Sequence, residues 1–479
     1  MTLDNINAIY FLGIGGIGMS ALARFFLHQG KQVYGYDLTS TEITSQLTEE
    51  GATIHFDEAV SKIPPKVDVV VYTPAVPKEH KEYQYFVENK IPLLKRSEVL
   101  GMICQNHPTI AVAGTHGKTT TTAVITNTLT FLRSYGLTVL SFIGGIAKNF
   151  NSNFVCEPRF DTVIVEADEF DRSFLTLHPQ VAIITSLDAD HLDVYGEHKH
   201  LIESFQLFAN QIQPSGTLVI FDEIAAQIEH PNKVTYGFSA QAHYQIYDIQ
   251  YFPTKTVFKI KNKPDTLSGI FQLHEIPHFV RNDEWDLAVP FTLNVSGKHN
   301  VLNAVAAMVA TIEFLSWKNV KTIDLQTLRT SLSGFTGVKR RFDVRIQRDD
   351  FIYIDDYAHH PEAIKAFLEA VKKSYPLKKL TGIFQPHLYS RTRDFAQEFA
   401  DALEVLDEII LLDIYPAREK PIEGITSSYL LSLIKNENKK LLQKEELVTY
   451  LQKNKPEVLL TMGAGDIDKM VGVLESISI

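Results

Sequence analysis

The chain has 479 residues, enough for two to four domains that each bury a core of their own. Apolar residues make up 45% and charged residues 22%, an ordinary globular composition that excludes a disordered chain. The 46 Lys+Arg against 57 Asp+Glu leave a net charge of −11, which argues against a sequence-independent grip on nucleic acid or an anionic membrane.

In chain order, a strand Ala8–Leu12 turns through glycines into a helix Met19–His28. A strand KQVYGYD, a helix TEITSQLTEEG and a strand VDVVVYTPAV follow. This alternation, through about residue 106, predicts a parallel sheet covered by helices. The stretch from Asn5 to Ala23 is uncharged, yet it lacks the basic region and cleavage site of a signal peptide. Gly13, Gly15, Gly16 and Gly18 also break it as a membrane span, and no other segment is expected to approach one. Cys104 and Cys156 suit a reducing cytosol and read as small buried hydrophobes. A cytoplasmic protein without membrane insertion is expected.

A second α/β block opens with the apolar strand TIAVAG and a helix beginning GKTTTTAVITNTLTFL. DTVIVEAD and QVAIITSLDADH are further buried-strand runs that finish in acidic residues. From 242 to 294 polar and apolar residues alternate, which predicts an antiparallel addition to this block. The helix VLNAVAAMVATIEFL closes it. A third block runs from GFTGVKRRFDV through FIYIDDYAHHP, the helix PEAIKAFLEAVKKSY, and the strands LTGIFQPH, EIILLDIYP and EVLLTMGAGDID.

The sharpest motif is Gly114-Thr115-His116-Gly117-Lys118-Thr119-Thr120, between an apolar strand and a helix. Backbone N–H groups at such a helix start form an anion site, Lys118 supplies charge to terminal phosphates, and Thr119 can ligate Mg²⁺. Val112 stands where a generic P-loop has its first glycine. A helix cap that merely contains glycine and lysine is the competing reading, and the strand–loop–helix context disfavours it. Because a loop lysine buries little apolar area, loss of Lys118 is expected to spare the fold.

Glu166 and Asp168 end one buried strand, and Asp188, Asp190 and His191 end another. In a parallel sheet both ends face the phosphate loop, where carboxylates near a triphosphate are best used as Mg²⁺ ligands. Taken alone, His191 is more often structural. Gly13-Ile-Gly15-Gly16-Ile-Gly18 with Asp37 after the next strand matches a pyrophosphate fingerprint that NAD, FAD and a UDP-sugar all satisfy. The third block adds Lys339, Arg340 and Arg341, then Asp355, Asp356, His359 and His360, then Gln385, His387, Arg391 and Arg393. Singly these are solvated charges or loop histidines; together they suggest a lid that closes over the second block.

The ordered set GIGGIGMSALA, AGTHGKTTTTA, VEADEFDRSFL, DADHLDVYG, GKHNVLNA, GVKRRFDV, DDYAHHP, FQPHLYSRTRDF and MGAGDI resembles the Mur ligases over nearly the whole chain. The resemblance implies an α/β protein of three domains. These are an N-terminal Rossmann-like UDP-binding domain (1–106), a central P-loop ATPase domain (107–333) and a C-terminal Rossmann-like domain that receives the amino acid (334–479). It also implies a cytoplasmic monomer or homodimer in peptidoglycan precursor synthesis. The implied reaction has the lactyl carboxylate of UDP-N-acetylmuramate attack the γ-phosphate of ATP; the amine of L-alanine then attacks the acyl phosphate. By resemblance, Gly114 to Thr120 cradle ATP, Thr119 and Glu166 hold one Mg²⁺ and His191 a second, and Lys118, Glu166 and His191 are catalytic. Asn300 or Asn303 would face the adenine, Arg340 the phosphates, and Asp355 or Asp356 the nucleotide. Gly13, Gly15, Gly16, Gly18, Met19, Ser20 and Asp37 would take the UDP-sugar, and Tyr357, His359, His387 and Arg391 the amino acid.

Two departures stand out. Leu388 occupies a position where many members have arginine, and the helix LIESFQLFANQ lacks the lysine that some siblings carbamylate, so no such modification is expected. The rival within the family is a ligase that attaches a recovered tripeptide to the same sugar, against which GIGGIGMS weighs. An NAD-dependent oxidoreductase leaves Lys118, Glu166 and His191 without work, and a P-loop switch leaves the first block idle.

Overall fold

The computed structural model describes residues 3–188, 195–263, 285–286, 289–320, 323–417 and 419–477. The first sheet is five-stranded, in the order β3-β2-β1-β4-β5. Its strands are β1 Ala8–Leu12, β2 Gln32–Tyr36, β3 Thr53–His55, β4 Val69–Tyr72 and β5 Leu93–Lys95, all paired in parallel. Helices α1 Ile17–His28, α2 Glu42–Glu49, α3 Lys81–Glu88 and α4 Arg96–Cys104 connect them. β1 reads AIYFL and is buried at every position, as a central parallel strand must be. Strand order reverses at β1, so the turn between β1 and α1 opens at the switch point where ligands settle in such sheets.

The central sheet begins with β6 Thr109–Ala113, followed by α5 Lys118–Phe131. Next come β7 Val139–Ala147, β8 Ser152–Cys156, β9 Thr162–Glu166 and β10 Val181–Ile184. β6 lies between β9 and β10 and is parallel to both. β11 Thr217–Phe221, β12 Lys233–Gly237 and β13 Tyr244–Tyr251 extend the sheet in parallel. The expected antiparallel addition is therefore only partly antiparallel: β13 keeps the direction of β12, and the reversal is seen where β14 Thr256–Asn262 meets β15 Trp285–Asp286. α5 is polar in sequence yet buried along most of its length. Its threonines bond back to the preceding turn of the helix, Thr122 to the Lys118 carbonyl at 2.9 Å and Thr126 to the Thr122 carbonyl at 2.8 Å.

After β16 Phe291–Leu293 and the helix Lys298–Trp317, the last sheet contains β17 Asp343–Gln347, β18 Ile352–Asp356, β19 Leu380–Phe384, β20 Glu408–Leu411, β21 Lys439–Leu441 and β22 Val458–Met462. Its order is β17-β18-β22-β19-β20-β21, with only β17 antiparallel. The three expected sheets are present. One apolar core runs from Ile9 and Phe11 through Phe142 and Phe174 to Ile220, so the first sheet and most of the central one form a single compact unit. That unit comprises Met1–Tyr247, Lys259–Phe291 and Leu302–Phe335; the other comprises Asp248–Phe258, Thr292–Val301 and Thr336–Ile479.

Lys298–Trp317 has the length and apolarity of a membrane span, contrary to the expectation that no segment approaches one. With 78% of its apolar window buried, it is a helix that is apolar because it is enclosed on most sides. Cys104 is buried but Cys156 is only half-buried, and burial pushes their thiols up to about 12 and about 11.

Candidate active site

The turn from β6 to α5 needs its glycines for different reasons. Gly114 has φ +129°, and a Cβ there would stand 2.1 Å from Thr185 Oγ1. Gly117 has φ +85°, and a Cβ would stand 2.4 Å from Asn303 Oδ1. The end of β10 fastens the loop. Ser186 Oγ accepts from the His116 amide at 2.8 Å, the Asp188 amide donates to Thr115 Oγ1 at 3.0 Å, and Thr185 donates to the His116 carbonyl. His116 Nε2 lies 3.7 Å from Asp188.

Lys118 opens α5 and turns back over the loop. Its Nζ donates to the Gly114 carbonyl at 2.6 Å and to Glu169, whose oxygens lie at 2.9 and 2.8 Å. Glu169 is fully buried and Lys118 is 14% exposed. Burial alone would lower the Lys118 pKa, but the surrounding Glu169, Asp168 and Glu166 outweigh it and hold the ammonium above its ordinary value. Thr119 donates to Glu166 Oε1 at 3.2 Å, while the Gly144 amide of β7 donates to Glu166 Oε2 at 2.9 Å. Thr119 and Thr120 are buried. Glu166 thus stands beside the loop, as the parallel pairing of β6 with β9 requires. His191 and Asp190 lie outside the described residues.

At the first glycine turn, Gly13 has φ +84°, and Asp37 Oδ2 accepts from the Gly15 amide at 2.7 Å. The Asp37 carboxylate is therefore already engaged by the turn. A Cβ at Gly15 would meet Thr44 at 2.8 Å and Asp37 at 2.9 Å, and one at Gly18 would meet Arg96 at 3.0 Å; at Gly16 nothing lies closer than 3.5 Å. Met19 and Ser20 are buried, Met19 in the apolar core and Ser20 with its hydroxyl on the Ile17 carbonyl at 3.0 Å. Arg96 reaches Asp168 at 3.3 Å, and Lys95 reaches Asp171 at 3.0 Å.

In the other unit, Arg340 donates from Nε to Asp355 at 3.1 Å and from Nη2 to the Gly463 carbonyl at 2.6 Å. Asp355 is fully buried and also accepts from Thr461 at 2.6 Å, so its carboxylate holds Arg340 from beneath and is not presented to a ligand. Burial raises the Asp356 pKa to about 6, against the pull of Arg341 and the Phe342 and Ala358 amides. The guanidinium groups of Arg340 and Arg341 lie 5.3 and 5.1 Å from the Tyr357 ring centre. Tyr357, His359, His387 and Tyr415 form a continuous ring cluster with centroid spacings of 5.0, 5.9 and 5.8 Å. Arg391 stands half-buried on the helix Tyr389–Asp394 that follows. Asn300 donates to the Ser296 carbonyl at 2.7 Å, whereas Asn303, one turn later on the same helix, lies against Gly117. The helix His198–Asn210 begins earlier than expected and does contain a lysine, Lys199, whose side chain is 78% exposed beside Glu203.

Sequence reasoning assigned no role to Glu169, Gly144, Thr185 or Ser186. Glu169 lies within the motif VEADEFDRSFL, whereas nothing in FIGGIA distinguishes the glycine that faces Glu166.

Three family models match in succession: Mur ligase family, catalytic domain (8–108), Mur ligase middle domain (112–311) and Mur ligase, glutamate ligase domain (340–465). The UDP-N-acetylmuramate–L-alanine ligase of Flavobacterium psychrophilum is 42% identical over 475 residues, covering 98% of each chain. That of Christiangramia forsetii is 41% identical, covering 98% of this chain and 97% of its own. The crystal structure of UDP-N-acetylmuramate–alanine ligase from Thermotoga maritima superposes with a TM-score of 0.79 at 26% identity, over 98% of this chain and 99% of that one. A murein peptide ligase from Psychrobacter arcticus shares the fold, with a TM-score of 0.68 at 20% identity over 99% of each chain.

Proposed function

This chain belongs to the Mur ligase family, and on that premise we propose that it is the ATP-dependent ligase joining L-alanine to the lactyl carboxylate of UDP-N-acetylmuramate. The step belongs to peptidoglycan precursor synthesis, and we place it in the cytoplasm. Residues 1–106 bind the UDP-sugar, 107–333 bind ATP, and 334–479 receive L-alanine. The observation that carries the reading is Lys118, fixed over the glycine turn beside Thr119 and Glu166, in a chain 42% identical to an alanine-adding ligase end to end.

The lactyl carboxylate attacks the γ-phosphorus of ATP and the bond to ADP breaks. The amine of L-alanine then attacks the acyl carbon and phosphate leaves. Lys118 stabilises the charge on the transferring phosphoryl group. Glu166 and the Thr119 hydroxyl are oxygen donors suited to a hard cation, and Gly144 leaves clear the space around Glu166 that a side chain would fill. We therefore assign Mg²⁺ to Thr119 and Glu166, with His191 for a second ion; bound there, it would offset phosphate charge. Asn303 and Arg340 take the nucleotide, with Asp355 orienting Arg340 from beneath. Tyr357, His359, His387 and Arg391 form the L-alanine pocket.

The test is phosphate release from ATP in the presence of UDP-N-acetylmuramate. Release stimulated by L-alanine is expected. Stimulation by the tripeptide alone would transfer the chain to the recycling branch, and release indifferent to the UDP-sugar would defeat the reading.

A further inference from the structure

Asn153 sits on β8, at the outer edge of the central sheet, and is completely buried. Its side-chain amide faces the first turn of α1. Nδ2 donates to the Ile17 carbonyl at 2.6 Å and to Ser20 Oγ at 2.9 Å, and Oδ1 accepts from Arg24 Nη1. Arg24, itself 6% exposed, reaches both Glu50 oxygens through Nε at 2.9 Å and Gln46 through Nη2 at 3.0 Å. With both donors and an acceptor engaged in a buried site, the amide is held in one orientation.

The other strand of the same hairpin touches the phosphate site. β7 pairs with β8 through Phe142 and Phe154, the ladder breaks between Phe142 and Ala147, and Gly144 lies inside that break. The freed Gly144 amide donates to Glu166 at 2.9 Å, and Glu166 in turn receives the Thr119 hydroxyl. One hairpin therefore grips the start of the helix behind the first glycine turn and the carboxylate beside the second.

We propose that Asn153 is a positioning residue that fixes the register of the UDP-sugar turn against the ATP turn. The inference rests on the ligase reading above. That reaction requires the sugar's carboxylate to meet the γ-phosphorus, and the two substrates are held by separate turns. The spacing of those turns then sets the approach of the reacting atoms, where a displacement of about 1 Å can cost about a hundredfold in rate. Asn153 touches no substrate; its effect passes through the Ile17 carbonyl and Ser20.

Asn153→Asp keeps the size and the oxygen facing Arg24 but loses both donors to α1. In the full-length enzyme, kcat for UDP-N-acetylmuramate-dependent ADP formation is expected to fall by about ten- to a hundredfold. The KM for ATP and the calorimetric Kd for the UDP-sugar should stay near wild type, while Tm falls by a few degrees because a carboxylate oxygen now faces the buried Ile17 carbonyl. Wild-type kcat in the folded variant overturns the proposal, as does a loss confined to the KM for the UDP-sugar. If the variant does not fold, Asn153→Ala removes the same two donors without adding a buried charge, and an undiminished kcat there overturns it equally. Wild-type enzyme unresponsive to UDP-N-acetylmuramate would overturn the ligase reading itself, and this inference with it.

Discussion

Replacing Lys118 by alanine takes a cation away from a carboxylate that is closed to solvent. Glu169 is fully buried and both its oxygens lie within 2.9 Å of Nζ. The loop lysine, expected to be dispensable to the fold because it buries little apolar area, is therefore predicted to carry stability through this pair. Breaking one side of a buried ion pair costs about 3–5 kcal/mol. At about 1.5 °C per kcal/mol for a unit of this size, Tm should fall by roughly 5–8 °C. The pair's contribution is fully present below the ordinary lysine pKa and is lost only as pH rises through the elevated folded value, so the drop is expected at any neutral pH. The catalytic loss should be on the order of a hundredfold in kcat or more. The double variant Lys118→Ala/Glu169→Gln separates the two effects, because a neutral amide removes the stranded charge: Tm should largely recover while kcat does not. Thermal unfolding and UDP-sugar-dependent phosphate release measure the two quantities. A single variant with wild-type Tm refutes the structural half of the argument, and a double variant with wild-type kcat refutes the catalytic half.

Gly144→Ala would place a Cβ 2.1 Å from a Glu166 oxygen, forcing the carboxylate to move by more than about 1 Å. The Mg²⁺ concentration for half-maximal turnover should rise and kcat should fall by tens of fold; an unchanged Mg²⁺ titration would deny Glu166 its assigned role. Burial raises the Glu313 pKa to about 7 from 4.5, so this group's effect on stability worsens as pH rises from about 4.5 to 7. Glu313→Gln should therefore gain Tm over wild type at pH 8 and lose that advantage at pH 5, as thermal unfolding at the two pH values will show. Arg391→Ala should raise the KM for L-alanine by about ten- to a hundredfold with little change for ATP, since a guanidinium matches a carboxylate bidentately. A main effect on the KM for ATP would make Arg391 a phosphate clamp.

The sequence made legible whatever depends on periodicity and on glycine. β1 starts and ends where its apolar run does, α5 starts at the lysine after Gly117, and Glu166 reaches the loop because buried strands ending in acids pair in parallel with the loop's strand. Contacts between distant residues were not legible. Asp37 reads as a UDP-sugar residue in the chain, and the fold shows that its carboxylate also accepts from the Gly15 amide. Asp355 reads as a nucleotide ligand, but it is enclosed beneath Arg340. Local pattern gives the chemistry a side chain carries, whereas its partner is chosen by packing against an element tens of residues away. The parallel course of β13 escaped for a related reason, since alternation reports which face is buried and is silent on direction.

Lys118 and Arg340, the cations we propose for phosphate, are held in the same way, each within its own unit. Lys118 is backed by buried Glu169 and a loop carbonyl, and Arg340 by buried Asp355 and the Gly463 carbonyl. Lysine and arginine each lose about 1.5–2 kcal/mol of rotamer freedom when fixed, and here that loss falls on folding and not on substrate binding. The same carboxylates weaken each cation's attraction for phosphate by offsetting its charge. A site that needed ATP held as tightly as it can be would omit them. A site that must also release ADP and phosphate on every turnover, and that gains rate only from interactions strengthened in the transition state, is better served by cations fixed in place and partly neutralised.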